Sequence, residues 1–260
     1  MTGYEIKSLS IGGLLDQTIA VVKDNFVLLV SIAAVLYIPL GLLNGILMAE
    51  LLPKPPGMFA GMDERTLYQE AFLSNAHVFI PLTMVIGFVS TPLTYGAMVR
   101  SIAGAYLGET ISVGTAWRHA LRRSLSLIGG NLLYALLVGV GMVLCLVPGI
   151  LFGIWFLFYG QGIMVEGLGV GPSMARSKEL VKGSMGVGFV LGLLLSVISI
   201  TVTLASSVIP QLHLAYSIQV FVQTIMMMLM TAASTVFYFS CRCKTEDFDL
   251  LQMTAAVEAE

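Results

Sequence analysis

At 260 residues, with 57% hydrophobic and 11% charged residues, the chain carries under half the roughly 25% charge of an average soluble domain. That much apolar surface excludes a water-soluble globule. A net charge of −2 excludes the broad basic field that gathers nucleic acid. Three cysteines, Cys145, Cys241 and Cys243, come without a CxxC pair or a histidine cluster and make neither a disulfide framework nor a zinc set.

From the N-terminus, Leu15, Ile19, Val22 and Phe26 recur at helical spacing against Asp16, Lys23 and Asp24, which predicts an amphipathic helix. The first long apolar run starts at Phe26 and is too long for a signal-peptide core. No small-residue cleavage site follows it, so the N-terminus is expected to be retained. A hydrocarbon layer about 30 Å thick needs about 20 helical residues. Six segments qualify, over residues 26–52, 78–99, 125–147, 149–165, 187–209 and 214–240. The polar stretch between the first two, Pro53 to Asn75, reads as a loop. Spans three and four are separated by Pro148 alone, and Pro148-Gly149 is read as a tight turn because proline removes a donor and glycine tolerates left-handed angles. Pro210, Gln211 and His213 punctuate spans five and six in the same way.

Eleven of the thirteen Lys and Arg residues fall on one side of this arrangement, with only Lys54 and Arg65 opposite. The excess marks the cytoplasmic face. The expected topology is a multi-pass cell-membrane protein with both termini cytoplasmic, a single membrane domain over residues 1–245 and a short acidic tail over 246–260, expected to be disordered.

The three cytoplasmic segments share an opening: Leu9-Ser10-Ile11-Gly12, Ile111-Ser112-Val113-Gly114 and Leu168-Gly169-Val170-Gly171. Each leads into an amphipathic pattern and then two spans. In the second, Trp117, Leu121 and Leu125 share a face; in the third, Pro172 suits a helix start and Glu179 can pair with Arg176 and Lys182. The expected fold is therefore all-α, a polytopic integral membrane protein of six transmembrane helices plus three cytoplasmic amphipathic interfacial helices, arranged as a threefold helix-plus-hairpin repeat. Basic amphipathic helices lie among lipid headgroups, so Arg118, Arg122 and Arg123 are candidate contacts for anionic lipid. Setting the topology is their plainer role.

No ionisable residue lies deep in a span, where it would be functional by default. Asn44, Asn131, Gln161, Gln219 and Gln223 lie within spans and are read as interhelical bridges. With Thr201, Thr203, Ser206 and Ser207 they also leave open a path for a neutral solute. Three GxxxG pairs, Gly41 and Gly45, Gly149 and Gly153, and Gly188 and Gly192, let helices approach closely and are assigned to packing within the chain before dimerisation. Met226, Met227, Met228 and Met230 are read as packing or lipid-facing residues. Cys241 and Cys243 flank Arg242 where palmitoylation occurs in eukaryotic proteins, with ordinary thiols as the plainer reading. HExxH, GxSxG and Walker-type motifs are absent from the sequence, and neither a cofactor nor a metal site is expected.

The residues Val147-Pro148-Gly149-Ile150, Val165-Glu166-Gly167, Ala175-Arg176-Ser177 and Leu180-Val181-Lys182-Gly183 resemble the membrane domain attached to some glycerophosphodiester phosphodiesterases and its free-standing inner-membrane relatives. Ser10 to Leu40, with Asp16, Asn25 and Pro39, fits the same pattern more loosely. Gly162 stands where that family usually has proline before the glutamate, and Ser184-Met185 follow the last glycine. The resemblance implies a multispan domain linked to lipid or envelope homeostasis, without the phosphodiesterase activity, which belongs to a separate soluble domain. It marks Pro148, Gly149, Glu166, Gly167, Arg176, Ser177, Leu180 and Gly183 as motif residues, and a Glu166–Arg176 pair is expected to fold the helix after the fourth span back beneath it.

The functional expectation is a non-enzymatic membrane protein acting in lipid or envelope homeostasis or as a scaffold for protein partners or a second copy. The competing expectation is a small-solute or lipid transporter or channel. A water-accessible cavity between the helices, lined by Asn44, Asn131 or Gln219, would favour transport, and a solid glycine-packed bundle the first reading.

Overall fold

The computed structural model describes residues 4, 6–53, 56, 60–206 and 212–248, without the side chains of 202, 203, 205, 206 and 212. Lys54, Ser207, Pro210, Gln211, the tail from 249 and the side chains of Thr203 and Ser206 lie outside the described residues. Helices follow one another as α1 (Ile11–Asp24), α2 (Phe26–Val35), α3 (Tyr37–Leu51), α4 (Met62–Val85), a π-helical turn (Ile86–Ser90), α5 (Thr91–Tyr106), α6 (Val113–Arg122), α7 (Ser124–Leu144), α8 (Leu146–Trp155), α9 (Tyr159–Met164), α10 (Val170–Val181), a 3₁₀ turn (Lys182–Ser184), α11 (Met185–Ser206) and α12 (Leu212–Glu246). No strand occurs among the described residues. Five continuous helical stretches are long and apolar enough to cross a membrane, so the protein is an all-α polytopic membrane protein. The segment expected as a first span is two shorter helices, α2 and α3, and α2 leaves α1 at a bend of 69°.

Prolines explain where the expected boundaries moved. A proline has no N–H and clashes with the carbonyl four residues earlier, so it kinks or breaks a helix upstream of it, although α4 carries Pro81 without a break. Leu36, the break between α2 and α3, lies three residues before Pro39. Cys145, the break between α7 and α8 with an extended φ of −170°, lies three residues before Pro148. Pro148 is thus in the first turn of α8, where proline is tolerated, and the tight turn expected at Pro148-Gly149 sits at Cys145 instead. The hairpin itself stands: a Cβ on Gly141 would lie 2.8 Å from Gly149 Cα, so the two helices touch backbone to backbone. Pro92 follows the π-helical turn, in which Thr91 N–H bonds the Ile86 carbonyl five residues back. The loop expected up to Asn75 is also corrected. From Met62 the chain is already helical, with Asp63 and Glu64 in the first turn, where acidic groups meet the positive helix end.

The three units expected from sequence close into a ring. Core helices α5, α9 and the Thr231–Cys241 part of α12 are almost wholly buried. The interfacial helix of each unit packs on the core helix of the preceding one: α6 on α5, α10 on α9 and α1 on α12. Leu9 N–H donates to Ser240 Oγ at 2.9 Å where α1 closes the ring, and Tyr4, Tyr106 and Phe239 stack in sequence at 5.6 and 4.9 Å. Each core helix ends on a left-handed residue. Gly108, Gly167 and Asp247, with φ of 80°, 70° and 50°, are the three positive-φ residues of the described chain. The junctions into α2 and α7 match too, Asn25 at φ −109°, ψ 16° and Arg123 at φ −107°, ψ 13°. The end of the molecule that carries α1, α6 and α10 is the basic end.

The buried faces of the interfacial helices differ from those read in sequence. α1 buries Leu14, Thr18, Val21 and Val22, whereas Ile19 and Phe26 are exposed; α6 buries Ala116, Trp117 and Ala120, whereas Leu121 and Leu125 are exposed. Each helix has two apolar sides, one for the core and one for the bilayer, and periodicity alone does not tell them apart.

Candidate functional site

Two features meet at the basic half of the bundle, a charged network and a half-open crevice. The network begins with Glu166, two residues past the end of α9. Its carboxylate accepts from Arg176 Nε at 3.0 and 3.1 Å and from the Tyr238 hydroxyl at 2.5 Å. Arg176 reaches on to Glu246 and, at 3.7 Å, to Glu179, while Arg242 Nε donates to Glu246 at 2.9 Å. Glu246 was assigned by sequence to the tail. It is instead the last residue of α12, so the boundary of the tail moves and the network joins α9, α10 and α12.

The other motif residues hold the same corner. Ser177 Oγ donates to the Trp155 carbonyl at 2.8 Å and accepts from Phe158 N–H at 2.9 Å, bridging the break between α8 and α9. Lys178 lies 4.4 Å over the Trp155 ring. Leu180 is buried, the Gly183 carbonyl accepts from Lys244 at 2.8 Å, and Gly167 turns the chain and accepts from Arg123 at 2.8 Å. Gly149 makes room for Met142. Arg123 is thus anchored to the protein, while Arg118 and Arg122 are exposed. His119, between them, is pushed below its usual pKa by burial and then by Arg100, Arg123 and Arg122.

Above this network Gln161 is fully buried in α9. Its amide donates to Ser234 Oγ at 2.9 Å and Thr235 Oγ1 at 3.3 Å and accepts from the Tyr95 hydroxyl at 3.1 Å. One carboxamide ties the three core helices, the bridging role expected of it.

Beside it lies a crevice of about 360 Å³ between α5, α7, α9, α11 and α12, within the range of ligand pockets. It is lined by Tyr95, Tyr134, Tyr159, Asn131, Thr231 and Ser234 together with Leu157, Leu191, Gly192, Leu195, Met227 and Met230, and the surface they present is almost wholly apolar. Tyr159 donates to Asn131 Oδ1 at 3.3 Å, Asn131 donates to the Gly87 carbonyl at 3.2 Å, and the Tyr134 and Tyr159 rings stack at 5.4 Å. Counting about 1.5 Å per helical residue, Asn131 and Leu191 lie about 10 Å in from the starts of α7 and α11, inside the basic half of the bilayer. No sequence motif marks these tyrosines. The available signal was their depth, since tyrosines usually sit at the membrane interface.

The GxxxG pairs divide. Gly41 and Gly45 seat Val220 and Tyr216 of α12, each 3.0 Å from where a Cβ would stand, and Gly188 seats Phe237 and Ile154. Gly192 departs from the expected packing role: a Cβ there meets nothing within 4 Å, because it faces the crevice. Met227 and Met230 line the crevice as well, while Met228 is buried. Cys241 and Cys243 are buried, and no disulfide occurs among the described residues. No group of three metal-binding side chains occurs among the described residues. No known protein family, curated protein or solved structure matches the chain.

Proposed function

We propose that this is a non-enzymatic, lipid-binding protein of the cell membrane, acting in lipid or envelope homeostasis with its basic end and both termini in the cytoplasm. The observation that carries the reading is the crevice: an almost wholly apolar cleft at bilayer depth, lined by side chains of α11 and α12 and by tyrosine rings whose hydroxyls are bonded to Gln161, Gly153 and Asn131. An acyl chain matches such a lining. Its hydroxyls and amide engage one another and the backbone rather than forming an acid–base pair, which supports holding over chemistry. α11 is the helix placed to admit a lipid, since most of its large apolar side chains face outward. Exposed Arg118 and Arg122 supply the basic surface for anionic headgroups, each contributing about 1 kcal/mol. The resemblance of the Glu166 motif to a membrane domain linked with lipid metabolism supports the same direction. The competing transport reading gains from both crevices, since Asn131 lines this one and Asn44 and Gln219 line a second in the opposite half of the bundle.

The test is native mass spectrometry of the full chain extracted from membranes. Gly192→Trp fills the crevice without a backbone clash, and Gly139→Trp, also in open space, controls for added bulk on an exposed face. The wild type and Gly139→Trp are expected to retain a lipid adduct that Gly192→Trp loses. Equal retention by all three overturns the proposal.

A further inference from the structure

The second crevice, about 300 Å³, lies between α3, α4 and α12 and is lined by Tyr37, Asn44, Tyr68, Tyr216, Gln219 and Gln223, with Gly41 and Gly45 at its floor. Its walls are fixed. α3 runs antiparallel to α12, with Val220 seated on Gly41 and Tyr216 on Gly45, and Asn75 Nδ2 of α4 donates to the Leu51 carbonyl at the end of α3 at 3.3 Å. Its depth follows from the Glu50–His213 pair, 3.6 Å apart at the end opposite the basic one. At about 1.5 Å per residue, Asn44 and Gln219 lie about 9 Å inside that pair and Gln223 about 15 Å. The π-helical turn stands between the two crevices, with Ile86 on this one and Thr91 on the other.

The side chains of Gln219 and Gln223 and the hydroxyls of Tyr37, Tyr68 and Tyr216 make no hydrogen bond among the described residues. Asn44 makes only a 3.5 Å contact with Thr83. Carboxamides at this depth with no partner are costly in hydrocarbon. The lining is without a formal charge, so a charged occupant would enter uncompensated. Carboxamides and phenols both donate and accept, as hydroxyl groups do. We infer that this crevice is a binding site for an uncharged polyol, whether a free solute or the headgroup of a neutral glycolipid. The site is independent of the lipid crevice in the basic half, and its ligand is recognised by Asn44, Gln219 and Gln223.

The experiment measures binding to the full chain in two arms. Glycerol and trehalose, titrated by calorimetry in detergent, probe free solutes; a monoglucosyl diacylglycerol in phosphatidylcholine nanodiscs, followed by native mass spectrometry, probes lipid. At least one arm is expected to show saturable binding. Gln219→Leu/Gln223→Leu is expected to weaken it at least tenfold, and Gly192→Trp to leave it unchanged. The Leu substitutions raise the apolarity of a membrane helix, and Tyr216→Phe, which removes one oxygen, gives a second variant that keeps the fold and is expected to weaken binding several-fold. Absence of binding in both arms overturns the inference, as does equal binding by the Leu variant. It is also overturned if that variant only converts a dimer to a monomer, because the amides would then be a contact between copies.

Discussion

Glu166→Gln is the most informative single change at the basic end. It keeps the side chain's shape while removing the charge that Arg176 and Tyr238 address. The Glu166 and Arg176 side chains are only 18% and 22% exposed, so water replaces the lost interactions poorly. A hydrogen bond to a charged group is worth about 1.5–3 kcal/mol and a neutral one about 0.5–1.5 kcal/mol. Weakening two such bonds costs about 2–3 kcal/mol, with Arg176 still held by Glu246. At about 2–4 °C per kcal/mol for a chain of this size, the thermal midpoint in detergent should fall by about 5–10 °C. Glu179→Gln is the comparison, because Glu179 meets the same arginine at 3.7 Å with 77% of its side chain exposed. An exposed pair contributes about 0–1 kcal/mol, so that midpoint should move by no more than a degree or two. Equal midpoints for the two variants would refute the view that Glu166 organises the corner.

Gly160→Ala should destabilise by about 1–3 kcal/mol through overpacking, because a Cβ there would overlap the Tyr95 ring, whereas Gly192→Ala should leave the midpoint unchanged; thermal scans of both check this. Gln161→Leu should cost about 0.6–1.7 kcal/mol, the range for hydrogen bonds between membrane helices, read as a lower midpoint of heat unfolding without change of oligomeric state. His119 has a pKa below its unfolded value, so the unfolded chain takes up the proton first. Its contribution to stability is therefore present above about pH 6.5 and declines as pH falls through that value. The midpoint of His119→Asn should vary less between pH 7.5 and 5.5 than that of the wild type.

Five spans were legible because hydrocarbon demands long uninterrupted apolar runs, whereas the first expected span is broken at Leu36; the three units were legible because each opens on a helix start followed by a hairpin. Ser10 and Ser112 do cap α1 and α6 through the N–H groups of Gly13 and Thr115, at 3.3 Å each. The cyclic order of the units was not legible, since α1 contacts α12 across more than 200 residues and nothing local announces it. Break points were misplaced by three residues at Pro148 because a proline's effect falls on the carbonyl upstream. Of the site, Glu166, Arg176 and Ser177 were legible as a motif. The tyrosine wall of the crevice was not, because Tyr95, Tyr134 and Tyr159 come from separate helices and converge only in the folded bundle.

The most direct test of the lipid-binding account is photolabelling in native membranes with a phospholipid that carries a photoreactive group in its acyl chain, followed by peptide mapping. The account expects labelling concentrated on Leu191, Leu195, Met227 and Met230 and abolished by Gly192→Trp. Labelling spread evenly over exposed positions such as Leu136, Val143 and Leu193, and unaffected by that substitution, would contradict it.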